Sequence, residues 1–269
     1  CQPARSADRW TTSASTYDTA MDLQGKNTVV TGAGRGIGAA LAETFHTRGA
    51  NVVLADLVGA SDAAALLGGD RVVGITADVS TEDGNYRLVE SAREAFGPID
   101  LFFANAGVGS GTTLADTPEE VWATAFDVNV HAHRWAAKYL IPEWLERGEG
   151  YFCSTASAAG LLAQIGSGPY TLTKRAAVAF AEWMSITYGD AGIKVTCLCP
   201  QGVNTEMLHG GDDPISGGNV VKAAGAVLEP ADVAEQVANT IEAETFFVLP
   251  HPEVADYTQF KAADPDRWL

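Results

Sequence analysis

The sequence predicts an α/β fold: a doubly wound parallel sheet of about seven strands with helices on both faces. Three observations predict it. Short β-branched runs alternate with longer stretches of helical period, a glycine-rich turn joins the first such run to the first helix, and the alternation continues through most of the 269 residues without an interdomain linker or an internal repeat. Strands separated by helices pair in parallel, because each crossover returns the chain to the same edge of the sheet. A hydrophobic share of 46%, 19% charged residues and a mean hydropathy of +0.02 are those of a folded globular chain.

The elements follow in order. Residues 1–20 are rich in Ser, Thr, Ala and Asp, lack apolar periodicity and read as a disordered leader, with Met21 a candidate start and 21–269 a single domain. Asn27–Thr31 reads as a strand, Ile37–Arg48 as a helix, Asn51–Ala55 and Arg71–Ala77 as strands, Thr81–Phe96 as a helix and Ile99–Ala104 as a strand. A helical stretch from Pro118 to Glu146 loses register near Asn129. Gly150–Thr155 is the next strand, and the helix after it opens at Pro169, whose missing N–H costs nothing in a first turn. Lys194–Leu198 is a strand; beyond Pro200 glycines gather at Gly210, Gly211, Gly217 and Gly218, which makes residues 204–228 a candidate lid. A helix from Pro230 to Ala243 and a strand at Phe246–Leu249 close the pattern.

Composition excludes several classes of function. No stretch approaches the roughly 20 apolar residues of a membrane span. Seventeen basic residues against 34 acidic ones give a net charge of −17, which repels a nucleic-acid backbone, so any phosphate must be bound locally. The cysteines, Cys1, Cys153, Cys197 and Cys199, form no Cys-x-x-Cys and have no histidine at zinc spacing, so no metal is expected. Reduced, buried cysteines fit a cytoplasmic protein.

Two constellations carry chemistry. Thr31-Gly-Ala-Gly-Arg-Gly-Ile-Gly38 stands between a strand and a helix, where backbone N–H groups bind an anion and glycines let a pyrophosphate approach. Eighteen residues beyond Gly38, Asp56 ends the second strand and can accept both hydroxyls of an adenosine ribose. It would repel a 2′-phosphate: one charge pair at about 4 Å and an effective dielectric near 20 is worth on the order of 4 kcal/mol. NAD is therefore favoured over NADP, with Arg35 in the turn as the counter-signal. The second constellation is Tyr170 and Lys174, four apart on one helical face, where an ammonium can stabilise a phenolate. Ser157 lies thirteen residues before Tyr170, beside the rival hydroxyls Ser154 and Thr155.

From about Leu23 to His251 these residues resemble the short-chain dehydrogenase/reductase family, a single-domain Rossmann fold. Gly32, Gly36 and Gly38 match the fixed glycines of its cofactor turn, which also holds Arg35 and Ile37. Asp78-Val79 is similar to the pair that holds the adenine ring, Asn105-Ala106-Gly107 to the element that flanks the cofactor, and Asn129 to the asparagine that kinks a helix. The family spacing selects Ser157, which with Asn129, Tyr170 and Lys174 completes a catalytic tetrad. Pro200, Val203 and Thr205 match the cofactor segment after the sixth strand, but Gln201 stands where the family usually has glycine.

The resemblance implies an oxidoreductase that passes hydride between NAD and an alcohol or ketone. Tyr170 would exchange the substrate proton, Ser157 orient the oxygen, Lys174 bind the nicotinamide ribose and lower the Tyr170 pKa, and Asn129 hold a water linking Lys174 to solvent. It also implies a homodimer or homotetramer. Leu161, Leu162, Ile165, Met207 and Leu208 flank these segments and are expected to line an apolar substrate pocket. His131 and His133, two apart on a helix, face different directions and read as surface or interface residues, and the Cys197–Cys199 pair as strand packing. Trp122, Trp135, Trp144 and Trp183 read as core or subunit contacts. The rival readings are an NADP-dependent carbonyl reductase, a non-catalytic NAD-binding sensor or scaffold, and a methyltransferase, which leaves Ser157, Tyr170 and Lys174 unexplained.

Overall fold

Each strand pairs in parallel with its neighbours, in the order β3-β2-β1-β4-β5-β6-β7. These observations come from a computed structural model that describes residues 21–109, 111, 113–209 and 225–269. The expected leader, Cys1 and the glycine-rich centre of the expected lid lie outside the described residues.

β1 (Asn27–Thr31) runs into the turn that starts α1 (Gly36–Thr47), and β2 (Asn51–Asp56) is followed by α2 (Ala60–Leu67) and β3 (Val72–Thr76). α3 (Glu82–Phe96) starts where the Thr81 hydroxyl accepts from the Gly84 N–H at 3.0 Å, and it ends at Gly97. β4 (Leu101–Ala104) leads to α4 (Glu119–Phe126), one π-helical turn (Asp127–His131) and α5 (Ala132–Arg147). That turn is the loss of register read near Asn129. β5 (Gly150–Thr155), the short α6 (Ala158–Leu161) and α7 (Gly168–Tyr188) come next, then a 3-10 turn and β6 (Ile193–Leu198). The described chain continues through α8 (Glu206–His209), α9 (Pro230–Glu242), β7 (Phe247–Val248), α10 (Glu253–Ala263) and α11 (Pro265–Trp268).

Because strand side chains alternate in direction, neighbours on one strand serve opposite cores. Phe102 packs with Leu88, Leu140, Trp144 and Ala177 under α3, α5 and α7, while Phe103 packs with Leu41, Phe45, Val237 and Ile241 under α1 and α9. Trp144 is fully buried and donates its indole N–H to the Ile99 carbonyl at 2.7 Å. Trp183 is 53% exposed, so the expectation of core or subunit contact splits along the chain. Each fully buried side chain of this size contributes about 1.5–3 kcal/mol. Cys153, Cys197 and Cys199 are buried and unpaired by disulfides; Cys197 and Cys199 face one side, their Sγ atoms 3.8 Å apart.

His133 departs from its expected surface position. It is 1% exposed, with Nδ1 3.0 Å from the Ser154 hydroxyl, because the π turn rotates the first turn of α5 toward the sheet. Burial, with Lys174 adding repulsion, pushes its pKa down to about 3, so the ring is neutral. Among the described residues no helix is long and apolar enough to cross a membrane, and no cluster of metal-ligating side chains occurs.

Candidate active site

Strand order reverses beside β1, where β2 leads one way and β4 the other, and ligands of doubly wound sheets bind at that switch point. A cleft of about 1290 Å³ opens there, at the carboxyl ends of the strands. Gly32, Arg35, Gly36, Ile37, Gly38, Asp56, Asp78, Val79, Asn105, Ala106 and Gly107 line it. Ser157, Tyr170, Lys174, Pro200, Gln201, Val203 and Thr205 also line it.

The turn after β1 is built for close approach. Gly32 and Gly36 take positive φ, +65° and +56°, and a Cβ on Gly32 would sit 2.8 Å from the Ala106 Cα. A Cβ on Gly38 would overlap the Gly32 carbonyl oxygen. No side chain caps the N-terminus of α1, so its first N–H groups remain available to an anion. Asp56 is held at the end of β2 by the N–H groups of Gly34 and Val58, 2.9 and 3.1 Å from its carboxylate oxygens. The glycine cradle, the uncapped helix end and this fixed carboxylate together fit a dinucleotide. Arg35 already has a partner, since its guanidinium lies 2.8 Å from Glu206 in an exposed ion pair.

Asn105 ties three strand ends together: its Nδ2 donates to the Thr31 carbonyl at 2.9 Å and its Oδ1 accepts from the Thr155 hydroxyl at 2.9 Å. Asn129 is fully buried behind the cleft, where its carboxamide brackets Val108, accepting from the N–H at 2.8 Å and donating to the carbonyl at 3.0 Å. A Cβ on Gly107 would lie 3.1 Å from the Lys174 Nζ and 3.2 Å from the Asn129 Oδ1. A glycine there lets both groups crowd the same spot.

The structure separates the three rival hydroxyls. Ser154 turns into the core toward His133 and Thr155 bonds Asn105, whereas Ser157 lines the cleft with Tyr170. The Ser157 oxygen also accepts from the Ala159 N–H at 3.1 Å and donates to the Pro200 carbonyl at 3.3 Å. α7 starts with a Ser167 cap and Pro169 in its first turn, which places Tyr170 and Lys174 on one face. The Lys174 ammonium donates to the Thr155 carbonyl at 2.9 Å and stands 5.7 Å from the Tyr170 ring centroid.

Burial pushes the Tyr170 phenol above its ordinary pKa, and the neighbouring Ser157 hydroxyl offsets part of this. This differs from the expectation that Lys174 lowers it: the ammonium lies over the ring and is itself desolvated, which brings its own pKa down to about 8.

Of the five apolar residues expected around a substrate, Met207 and Leu208 line the cleft together with Val108 and Val128. Leu161, Leu162 and Ile165 do not. The carbonyls of Leu161 and Leu162 accept from Lys261 of α10 at 2.8 and 2.7 Å, Leu161 packs against the core and Ile165 is 69% exposed, while Gln164 and Gly166 of the same segment reach the cleft. Sequence reasoning missed Val108 and Val128, which line the cleft, and His251, which bonds the Gln201 N–H behind it; no spacing signal marks them, because only the folded chain brings them there.

Residues 26–214 match the model of a family described as short chain dehydrogenase. The chain belongs to the short-chain dehydrogenase/reductase family. It is an oxidoreductase of that family with the corresponding Rossmann-type fold. It is 34% identical over 236 residues to 1-deoxy-11-beta-hydroxypentalenate dehydrogenase of Streptomyces exfoliatus, covering 85% of this chain and 84% of that one. It is 33% identical over 197 residues to epidermal retinol dehydrogenase 2 of Mus musculus, covering 70% of this chain and 64% of that one. Among solved structures, a short-chain dehydrogenase/reductase from Burkholderia phymatum in complex with NAD superposes with a TM-score of 0.84 at 29% identity, covering 91% of this chain and 96% of that one.

Proposed function

We propose that this short-chain dehydrogenase/reductase interconverts an apolar secondary alcohol and its ketone with NAD(H), using Tyr170 as general acid and base. The observation that carries the reading is the meeting of Ser157 with Tyr170 and Lys174, the latter two on one helical face, in the cleft that also holds the glycine cradle. The two relatives carry the names of a hydroxypentalenate and a retinol dehydrogenase, both acting on alcohols, and the Burkholderia neighbour was solved with NAD, which supports the substrate class and the cofactor.

A bound nicotinamide dinucleotide supplies the hydride acceptor or donor. Gly32, Gly36 and Gly38 would admit its pyrophosphate, Asp56 its adenosine ribose, Asp78 and Val79 its adenine, and Val203 and Thr205 its carboxamide end. Ser157 orients the substrate oxygen, and Tyr170 takes the hydroxyl proton in oxidation or returns it in reduction. Lys174 would bind the ribose hydroxyls of the dinucleotide's nicotinamide end. Asn129 keeps the backbone around Val108 in place behind Lys174. Met207, Leu208, Val108 and Val128 offer the substrate an apolar wall.

Tyr170→Phe tests this assignment, because it removes one oxygen and leaves the cleft intact. Turnover should fall at least a thousandfold, in the range of general acid–base contributions. NADH affinity, measured by fluorescence titration, should change less than about threefold. Retained turnover in the variant would overturn the assignment.

A further inference from the structure

The peptide group between Pro200 and Gln201 is held from both sides. Its carbonyl accepts from the Ser157 hydroxyl at 3.3 Å and from the Ala158 N–H at 2.9 Å. Its N–H donates to Nδ1 of His251 at 3.2 Å. A nitrogen that accepts from an N–H carries no proton, so the ring is the neutral tautomer with hydrogen on Nε2. That nitrogen donates toward the carbonyls of Gly202 at 3.1 Å and Ala226 at 3.2 Å. Both ring nitrogens are thus committed, and the side chain is only 2% exposed. Such a histidine has a defined tautomer and little freedom to turn.

We infer that His251 is a positioning residue for Ser157, acting through this one peptide. A peptide group is planar, so fixing the direction of its N–H fixes the direction of its carbonyl. The serine's single hydroxyl hydrogen points at that carbonyl and one lone pair accepts from the Ala159 N–H, which leaves its other lone pair to the cleft. If the Gln201 N–H lost its acceptor, the peptide could rotate and the serine would lose the direction of its hydrogen bond. The same ring ties Gly202 to Ala226, so the segment after β6 is clamped where it enters the cleft. His251 touches neither substrate nor cofactor in this arrangement. The inference rests on the reading of Ser157 as the group that orients the substrate oxygen.

Two substitutions separate the ring's two bonds. In His251→Asn the side-chain oxygen can stand near the place of Nδ1 and still accept from Gln201. In His251→Gln the side-chain nitrogen can stand near the place of Nε2 and still reach the carbonyls, while the Gln201 N–H goes unpaired. Purified variants would be compared by kcat, KM, NADH affinity and Tm, alone and in a Ser157→Ala background. His251→Gln should lower kcat about tenfold with NADH affinity within about twofold, as expected for a displaced orienting group. His251→Asn should keep several times the turnover of His251→Gln even where both have the same Tm. With Ser157 replaced by Ala, His251→Gln should cause no further loss of kcat, because the group it positions is gone. A full further tenfold loss there, or equal turnover in the two single variants, would overturn the inference. Wild-type turnover in Ser157→Ala alone would overturn the catalytic reading as well, so the two failures are distinguishable. His251→Phe removes both bonds and enters the same cycle where His251→Gln does not fold.

Discussion

On the proposed function, Asp56 is the side chain that would select the cofactor. Two backbone N–H groups hold its carboxylate at the end of β2 and leave lone pairs free for the hydroxyls of a ribose. A 2′-phosphate placed there would meet a fixed negative charge. Arg35, the residue that speaks for NADP, is exposed and already paired with Glu206, so little of its charge is uncompensated. Purified protein titrated with NADH and NADPH at one salt concentration should bind NADH at least tenfold more tightly. Asp56→Ala should narrow that ratio. Tighter binding of NADPH would remove Asp56 from its role and send the substrate search toward carbonyl compounds reduced with NADPH.

At the scale of elements, the glycines of the cofactor turn are constrained in different ways. Gly38 has no positive φ to protect, but a Cβ there meets the backbone oxygen of Gly32, and backbone on both sides cannot move aside. Gly148, which ends α5, has φ +70° and nothing near its missing side chain. Gly38→Ala should therefore abolish NADH binding or prevent folding. Gly148→Ala should lower stability by only about 1–2 kcal/mol, the strain of a left-handed residue, and leave NADH affinity unchanged. Urea unfolding and NADH titration of both variants check this; a Gly38→Ala protein with normal affinity would refute the close-packing account. The π turn at Asp127–His131 is a second device of this kind. It inserts a residue into the α4–α5 helical run, which brings Asn129 against Val108 and His133 against Ser154.

For the whole molecule, burying ionisable groups behind the cleft links stability to pH. His133 has a folded pKa of about 3 against an unfolded value near 6.5, so between these values the unfolded chain binds more protons. Stability from this group is fully present above about pH 6.5 and is lost as pH falls toward 3, with a slope of about 1.4 kcal/mol per pH unit. Lys174, brought down to about 8, has the same sign on the alkaline side: the folded state gains relative stability as pH rises from about 8 toward the ordinary lysine value. Urea unfolding of wild type and His133→Phe from pH 7 to 4.5 should show a shallower fall in the variant. Parallel curves would mean that His133 is not held neutral. The net charge of −17 adds a general repulsion that weakens as carboxylates protonate, and comparison with the variant cancels it.

Sequence by itself determined the fold class and named most of the residues that line the candidate site, because both rest on local chemistry. The strands around Val29, Val53 and Phe102 announce themselves by β-branched and aromatic runs, and the Gly32–Gly38 turn by residues that only a close backbone approach requires. Tyr170 and Lys174 are one helical turn apart, a relation that a linear sequence states directly. The short helices α2, α6, α10 and α11 were not legible: α2, α6 and α11 span eight residues or fewer, α10 eleven, and tertiary contacts rather than a long apolar period stabilise them. Tertiary structure alone decided which partners Ser154 and Thr155 find, that the Leu161 and Leu162 carbonyls meet Lys261, and that His133 is buried. It also brought His251 to Gln201, 50 residues away in the chain. Periodicity encodes which face of an element is buried, but not which distant element will lie against it; that is settled when the sheet is assembled and each buried polar group must find its partner.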